Sequence, residues 1–170
     1  QQSGRPPVQL WDPPFCGDMD ITIKKDGAWW YMGTPIARMP LVKLFASVLT
    51  IRDNEYFLVT PVEKVRIQVE QTPFIVTQWR QQTIEQEQGE HQVIVFTTNL
   101  GDEFVLSAQH PLVLADDVDQ QAPYITVHRG LTAALHRNVY YQLADIAREQ
   151  ETGGTMHWVI QSGDAMFNLG

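Results

Sequence analysis

The side chains best suited to chemistry fall in one short string, Cys16-Gly17-Asp18-Met19-Asp20. A cysteine thiolate is a strong nucleophile, but it needs a base beside it, most often a histidine. All five histidines, His91, His110, His128, His136 and His157, come in the later half of the chain. Asp18 and Asp20 offer hard oxygen ligands, yet a calcium loop needs a longer alternating array of oxygens, and none follows. The plainer reading is a buried structural thiol, with the two aspartates capping backbone N–H groups in an irregular turn. Arg38 stands where a helical run begins. Its guanidinium could hold a carboxylate or phosphate, or pair with an aspartate of the opening string. Glu63 and Lys64, with Arg66, form a charged cluster that either binds a charged small molecule or makes cross-strand ion pairs. Trp29-Trp30-Tyr31 could stack a planar ligand. Strand alternation sends Trp29 and Tyr31 to one face and Trp30 to the other, so at least one face is core.

Other chemistries lack a carrier. The histidines do not show the H-x-x-x-H spacing of a zinc site. There is no G-x-G-x-x-G, P-loop, G-x-S-x-G or H-E-x-x-H motif. One cysteine excludes an internal disulfide and a cysteine-based metal cluster. No cofactor and no metal are expected. The 170 residues carry a net charge of −8, and an acidic surface repels nucleic acid and anionic lipid. No run reaches the 18 or so apolar residues of a membrane span. The expected partner is therefore a small molecule or a protein, not nucleic acid or membrane. Gln1 onward shows no charged and then apolar leader, and a single thiol suits a reducing compartment, so the expected location is cytoplasmic.

The elements that must position these groups read as follows. Trp11 to Phe15 is extended by Pro13 and Pro14. Asp20 to Ile36 is a hairpin turning at Asp26-Gly27. Pro40 to Leu49 is a helix with a stripe of Leu41, Leu44, Phe45, Val48 and Leu49. Tyr56 to Val69 is two strands broken at Thr60-Pro61. Phe74 to Ile84 leans to strand, and His91 to Thr98 and Phe104 to Ala108 complete a meander. His110 to Ala115 continues extended, Asp116 to Gln121 is a solvated acidic loop, and Tyr124 to His128 is a short strand. Thr132 to Arg148 is a second, longer helix with Leu135, Val139, Leu143 and Ile146 inward, and a hairpin from Met156 to Leu169 ends the chain. Hairpin, helix, hairpin over Asp20 to Glu70 recurs over His91 to Leu169. The predicted class is α+β, in two similar packed subdomains of residues 1–72 and 73–170, each an antiparallel sheet with one helix.

Four segments carry a resemblance: WDPPFCGDMDI, KKDGAWWYMGTPIAR, LVKLFASVL and YFLVTPVEKVRIQVEQTPF. Together they resemble a bacterial family catalogued as domain of unknown function 1285, over most of the chain from about Val8 onward. The resemblance implies a small, soluble protein of two related α+β halves and supplies no activity. A role in signalling or ligand sensing goes with that shape by analogy of fold.

The leading expectation is a ligand-binding or regulatory module. Its site would lie where Cys16, Asp18 and Asp20 meet Arg38, Glu63 and Lys64. Two alternatives stand beside it. One is an enzyme using Cys16 or the Asp18/Asp20 pair, and the other is a scaffold that pairs through an exposed sheet edge.

Overall fold

Strand β1 (Phe15–Ile23) is the first strand of the computed structural model, which describes residues 5–114 and 122–170. Ala115 and the expected acidic loop at Asp116 to Gln121 lie outside the described residues. The chain divides into two units, residues 1–73 with 129–131, and residues 74–128 with 132–170.

In the first unit β1 is followed by β2 (Trp29–Tyr31), β3 (Thr34–Pro35), helix α1 (Met39–Ser47), β4 (Leu49–Arg52), β5 (Glu55–Val59) and β6 (Lys64–Val69). The sheet order is β3-β2-β1-β6-β5-β4. Two antiparallel meanders thus lie side by side, and their seam is a parallel pairing of β1 with β6. The seam is a departure from the expected all-antiparallel sheet. Sequential hairpins can only be antiparallel, so the parallel contact arises between strands distant in sequence. β1 is longer than the predicted hairpin arm and takes in Phe15 to Met19. Its register slips between Phe15 and Asp18 and again before Thr22. Gly17, at φ 104°, supplies the backbone freedom that such a bulge uses.

One face of this sheet holds the fully or nearly fully buried Ile21, Ile23, Trp29, Leu49 and Ile67. The Trp29 ring stacks on Phe45 of α1 at 6.3 Å between centroids. Val8, Phe57 and Val59 form a smaller cluster, with Trp11 and Val48 packed against it. The helix differs from its expected form. It ends at Ser47, its buried residues are Val42 and Ala46, and Leu44 is 61% exposed. The run LVKLFASVL is apolar almost all round, so its period does not select one stripe. Leu49 is taken by β4, which pairs with β5 through Leu49↔Leu58 and stops the helix early.

The second unit runs β7 (Phe74–Gln86), β8 (Gly89–Thr98), β9 (Glu103–Val105), β10 (Leu112–Val113), β11 (Tyr124–Thr126), β12 (Thr132–Leu135), α2 (Arg137–Ile146), β13 (Arg148–Thr152), β14 (Thr155–Ser162) and β15 (Ala165–Asn168). Its large sheet has the order β10-β11-β12-β7-β8-β9. Reversed, this is the strand order of the first unit, with β7 in the place of β1 and β12 in that of β6. The seam is again parallel, from Ala133↔Phe74 to Leu135↔Val76. The fold is therefore α+β with two similar halves.

The repeat spans β1–β6 and β7–β12, so it starts earlier in the second half than His91. The expected helix from Thr132 also changes. Thr132 to Leu135 are good helix formers in part, but they complete the ladder beside β7, and that tertiary pairing overrides propensity. α2 starts after His136, whose Nδ1 accepts a hydrogen bond from the Asn138 N–H at 3.1 Å. Val139 and Leu143 are buried as expected, whereas Ile146 is 44% exposed. After the repeat, β13-β14-β15 form a separate three-stranded sheet. It is tied to β8 by the Ile94 N–H, which donates to the buried Ser162 hydroxyl at 2.9 Å.

The corrected helix face gives a direct test. Val42→Ala should cost about 1–2.5 kcal/mol in urea unfolding, as loss of buried methyls does. Leu44→Ala should stay within about 0.5 kcal/mol of wild type. Equal losses at both positions would contradict the assigned face.

Candidate functional site

The structure gathers part of the expected constellation at the β1–β6 seam. Asp18 lies opposite Arg66 in the ladder. Arg66 grips it with two bonds, Nε to Oδ1 at 2.5 Å and Nη2 to Oδ2 at 3.2 Å, and donates from Nη1 to Glu55 at 2.8 Å. The hydrogen bond from Arg66 holds the Asp18 carboxyl below its usual value of 3.8. The same bonds, first to Asp18 and then to Glu55, push the Arg66 pKa up. Phe15 and Phe57 meet edge to face at 6.2 Å, with the Arg66 guanidinium over one ring and the Lys64 ammonium over the other, each 5.2 Å from its centroid.

The other expected residues are placed apart in role. Cys16 is exposed, contrary to the buried thiol anticipated, and its Sγ donates to the Pro14 carbonyl at 3.3 Å. No base is bonded to it among the described residues. His110 and His128 instead pack their rings on Phe104, at 5.0 and 6.0 Å. Asp20 is exposed, and its carbonyl accepts the Met32 N–H. Glu63 is exposed in the loop before β6, where its backbone closes a turn with Thr60. Arg38 caps α1 with its carbonyl, is exposed, and has no side-chain partner among the described residues. Asp18 is therefore bound by Arg66, not Arg38. Asp18 and Glu55 neutralise Arg66 on an exposed face, the kind of ion pair that contributes little to stability and leaves little charge for a ligand.

A second place has the opposite character. A cleft of about 500 Å³ in the first unit is lined by Gln9, Trp11, Asp12, Thr50, Ile51, Arg52 and Arg129. That volume falls in the range of small-molecule sites. Arg52 ends β4, and its Nη2 donates to the carbonyls of Val8 at 3.4 Å and Trp11 at 3.0 Å. Its acidic neighbour, Asp12, is 3.9 Å away and 93% exposed. Arg129 donates to the Pro6 carbonyl at 3.3 Å and the Ser47 carbonyl at 3.0 Å. Its Nε is buried without a hydrogen-bond partner, and no carboxylate pairs with it among the described residues. Burial, then the charge of Arg5, pushes the Arg129 pKa down.

The backbone at this cleft passes through the left-handed region, as it also does in the turns at Met32, Asp53 and Asn54. Arg129 has φ 54° and Gly130 φ 74°. The left-handed region costs a residue with a Cβ about 1–2 kcal/mol. The carbonyl bonds that hold the guanidinium offset part of that cost. Such strain concentrates at functional positions. Motif reading missed the cleft because Arg52 and Arg129 belong to distant segments. The one local signal is the Arg129-Gly130 step, which marks a turn. Among the described residues no group of three or more His, Cys, Asp or Glu could hold a metal ion. No helix among them is long and apolar enough to cross a membrane.

Comparison with known proteins gives two family models along the chain. Residues 6–72 match the domain of unknown function DUF1285, N-terminal domain, and residues 73–169 match the protein of unknown function DUF1285, C-terminal domain. A solved DUF1285 family protein from Silicibacter pomeroyi DSS-3 is 37% identical, with a TM-score of 0.81 over 99% of this chain and 88% of that one. Another, from Shewanella baltica OS155, is 33% identical, with a TM-score of 0.55 over 74% of this chain and 90% of that one. No curated protein matches.

The seam predicts an acid dependence. Asp18 is depressed in the native state, so its ion pair stabilises the fold fully above the usual value of 3.8 and is lost as pH falls through the lower native value. Asp18→Asn lacks the pair at every pH. Its melting temperature should lie slightly below wild type at pH 7, and the two curves should converge in acid. A gap that stays constant down the acid limb would contradict the assignment.

Proposed function

The chain belongs to the DUF1285 family, and from that premise we propose that it is a ligand-binding regulatory module whose site is the Arg52–Arg129 cleft. One observation carries the reading. Two guanidiniums line a ligand-sized cleft, one with no carboxylate partner among the described residues and the other with a solvent-exposed partner 3.9 Å away. Carbonyl oxygens orient these groups without cancelling their charge, so an anionic ligand would complete the arrangement.

The same contacts support a regulatory role of the kind used in signal transduction. The Pro6, Val8 and Trp11 carbonyls are held by the two arginines that face the cleft. A ligand drawing on these guanidiniums changes what holds the N-terminal segment. Occupancy is thereby converted into a change of surface that a protein partner can read. The Asp18–Arg66–Glu55 cluster is better described as the clasp of the sheet seam.

A thermal-shift screen of the purified chain against nucleotides, sugar phosphates, amino and organic acids and neutral sugars tests the reading. A ligand at 100 times its dissociation constant adds about 2.7 kcal/mol, or roughly 5–10 °C for a chain of this size. The shift should vanish in Gln9→Trp, which places an indole at the lining of the cleft. A ligand whose shift survives Gln9→Trp binds elsewhere. If every shift that appears survives it, or none appears, the reading fails.

A further inference from the structure

The cleft's chemistry can be read further, on the premise that it is a ligand site. From the two guanidiniums lining one cavity, with the exposed carboxylate of Asp12 3.9 Å from Arg52 as their one acidic neighbour in the lining, the geometry points to a ligand with a dianionic oxyanion head, a phosphomonoester or a dicarboxylate. Three observations lead there.

The first is donor geometry. A guanidinium presents five N–H donors in a planar fork that matches carboxylate and phosphate oxygens in pairs. Arg52 spends its Nη2 on the Val8 and Trp11 carbonyls. That leaves its Nη1 side facing Asp12 at a distance too long for a hydrogen bond. Arg129 spends one bond from each Nη on the Pro6 and Ser47 carbonyls. Its Nε stays buried and unbonded. An unsatisfied buried donor carries a desolvation penalty, so the protein's own groups do not fully satisfy this guanidinium.

The second is charge. The whole chain is acidic, at −8, yet this cleft concentrates positive charge, and Arg5 acts electrostatically on Arg129 as well. Asp12 also lines the cleft; with its exposed carboxylate left in water, a monoanion balances one of the two lining guanidiniums. A phosphomonoester, at about −1.5 to −2 near pH 7, balances both. The third is position. Asp12 is 93% exposed, so its carboxylate can stay in water while a ligand takes the guanidiniums.

Isothermal titration of the full chain with four probes separates the sources. Ribose 5-phosphate represents phosphomonoesters, succinate dicarboxylates, acetate monoanions and ribose the neutral case. At least one dianion should bind ten times or more tighter than acetate and ribose, and which dianion wins names the class. Arg129→Gln should lose that binding at least tenfold, with circular dichroism confirming the fold. Asp12→Asn gives a reading that misfolding cannot imitate. Removing one unit charge roughly 8 Å from a dianion in a water-like dielectric should tighten binding about fivefold.

The proposal is overturned if acetate or ribose binds as tightly as both dianions, or if Asp12→Asn leaves dianion affinity unchanged or weaker. It is overturned equally if a folded Arg129→Gln variant binds as wild type does. If Arg129→Gln does not fold, the Asp12→Asn result decides. A neutral molecule whose binding is abolished by Gln9→Trp would overturn the dianion and leave the ligand-binding reading standing. Failure of every probe and every screened molecule would remove both.

Discussion

The parallel seam between the first and last strands of each half is the constraint on which the architecture rests. β1 with β6, and β7 with β12, each join two small meanders into one six-stranded sheet. A three-stranded meander alone has little apolar face to bury. Joined at the seam, the two meanders of the first unit share a face that covers Ile21, Ile23, Trp29, Leu49 and Ile67. The seam is also costly to form, because its strands are far apart in sequence and the intervening chain must be ordered first. Side chains also bridge it in the first unit. Arg66 on β6 clasps Asp18 on β1 and Glu55 on β5, tying three neighbouring strands. The distinctive Cys16–Asp20 string thus does much of its work in architecture, with Gly17 permitting the bulge and Asp18 receiving the clasp.

The cleft depends on the same sheet. β4 is one of its two edge strands, and Arg52 is the last residue of that strand. Arg52 and Arg129 fasten the N-terminal segment by bonding its carbonyls, which are otherwise without strand partners. Arg129 has no carboxylate partner among the described residues and Arg52 has only the exposed Asp12 at 3.9 Å, and this is what separates them from Arg66 and Arg80. Arg66 is neutralised by Asp18 and Glu55, and Arg80 by Glu103 at 2.7 Å. Arg129, next to Gly130, takes the left-handed backbone, and the carbonyl bonds of its guanidinium hold it there.

Much of the local structure was readable from residue types. Asp26-Gly27 marked the first hairpin, Pro61 kept β5 and β6 apart, and Val65, Ile67 and Val69 alternated against Arg66 and Gln68 as a half-wet strand does. The doubled α+β architecture was readable too, through the four segments resembling the family. The reading failed where tertiary pairing competes with local preference. Ala133, Ala134 and Leu135 suit a helix but complete a ladder, and Leu49 continues a helical stripe but begins a strand. It failed also where contacts join distant segments. Arg38 was the nearer guanidinium in sequence, yet Arg66 reaches Asp18 because the seam places it opposite. The Arg52–Arg129 cleft had no motif to announce it, since its two cations come from segments that only the fold brings together.

The most direct measurement is an arginine side-chain NMR titration, following the Nε–H resonances as a dianion probe is added. Arg66 and Arg80, already paired with carboxylates, serve as internal references. The account predicts saturable shifts of Arg52 and Arg129, with Arg66 and Arg80 still. Shifts spread evenly over all arginines, or none at Arg52 and Arg129 while the probe is in large excess, would contradict it.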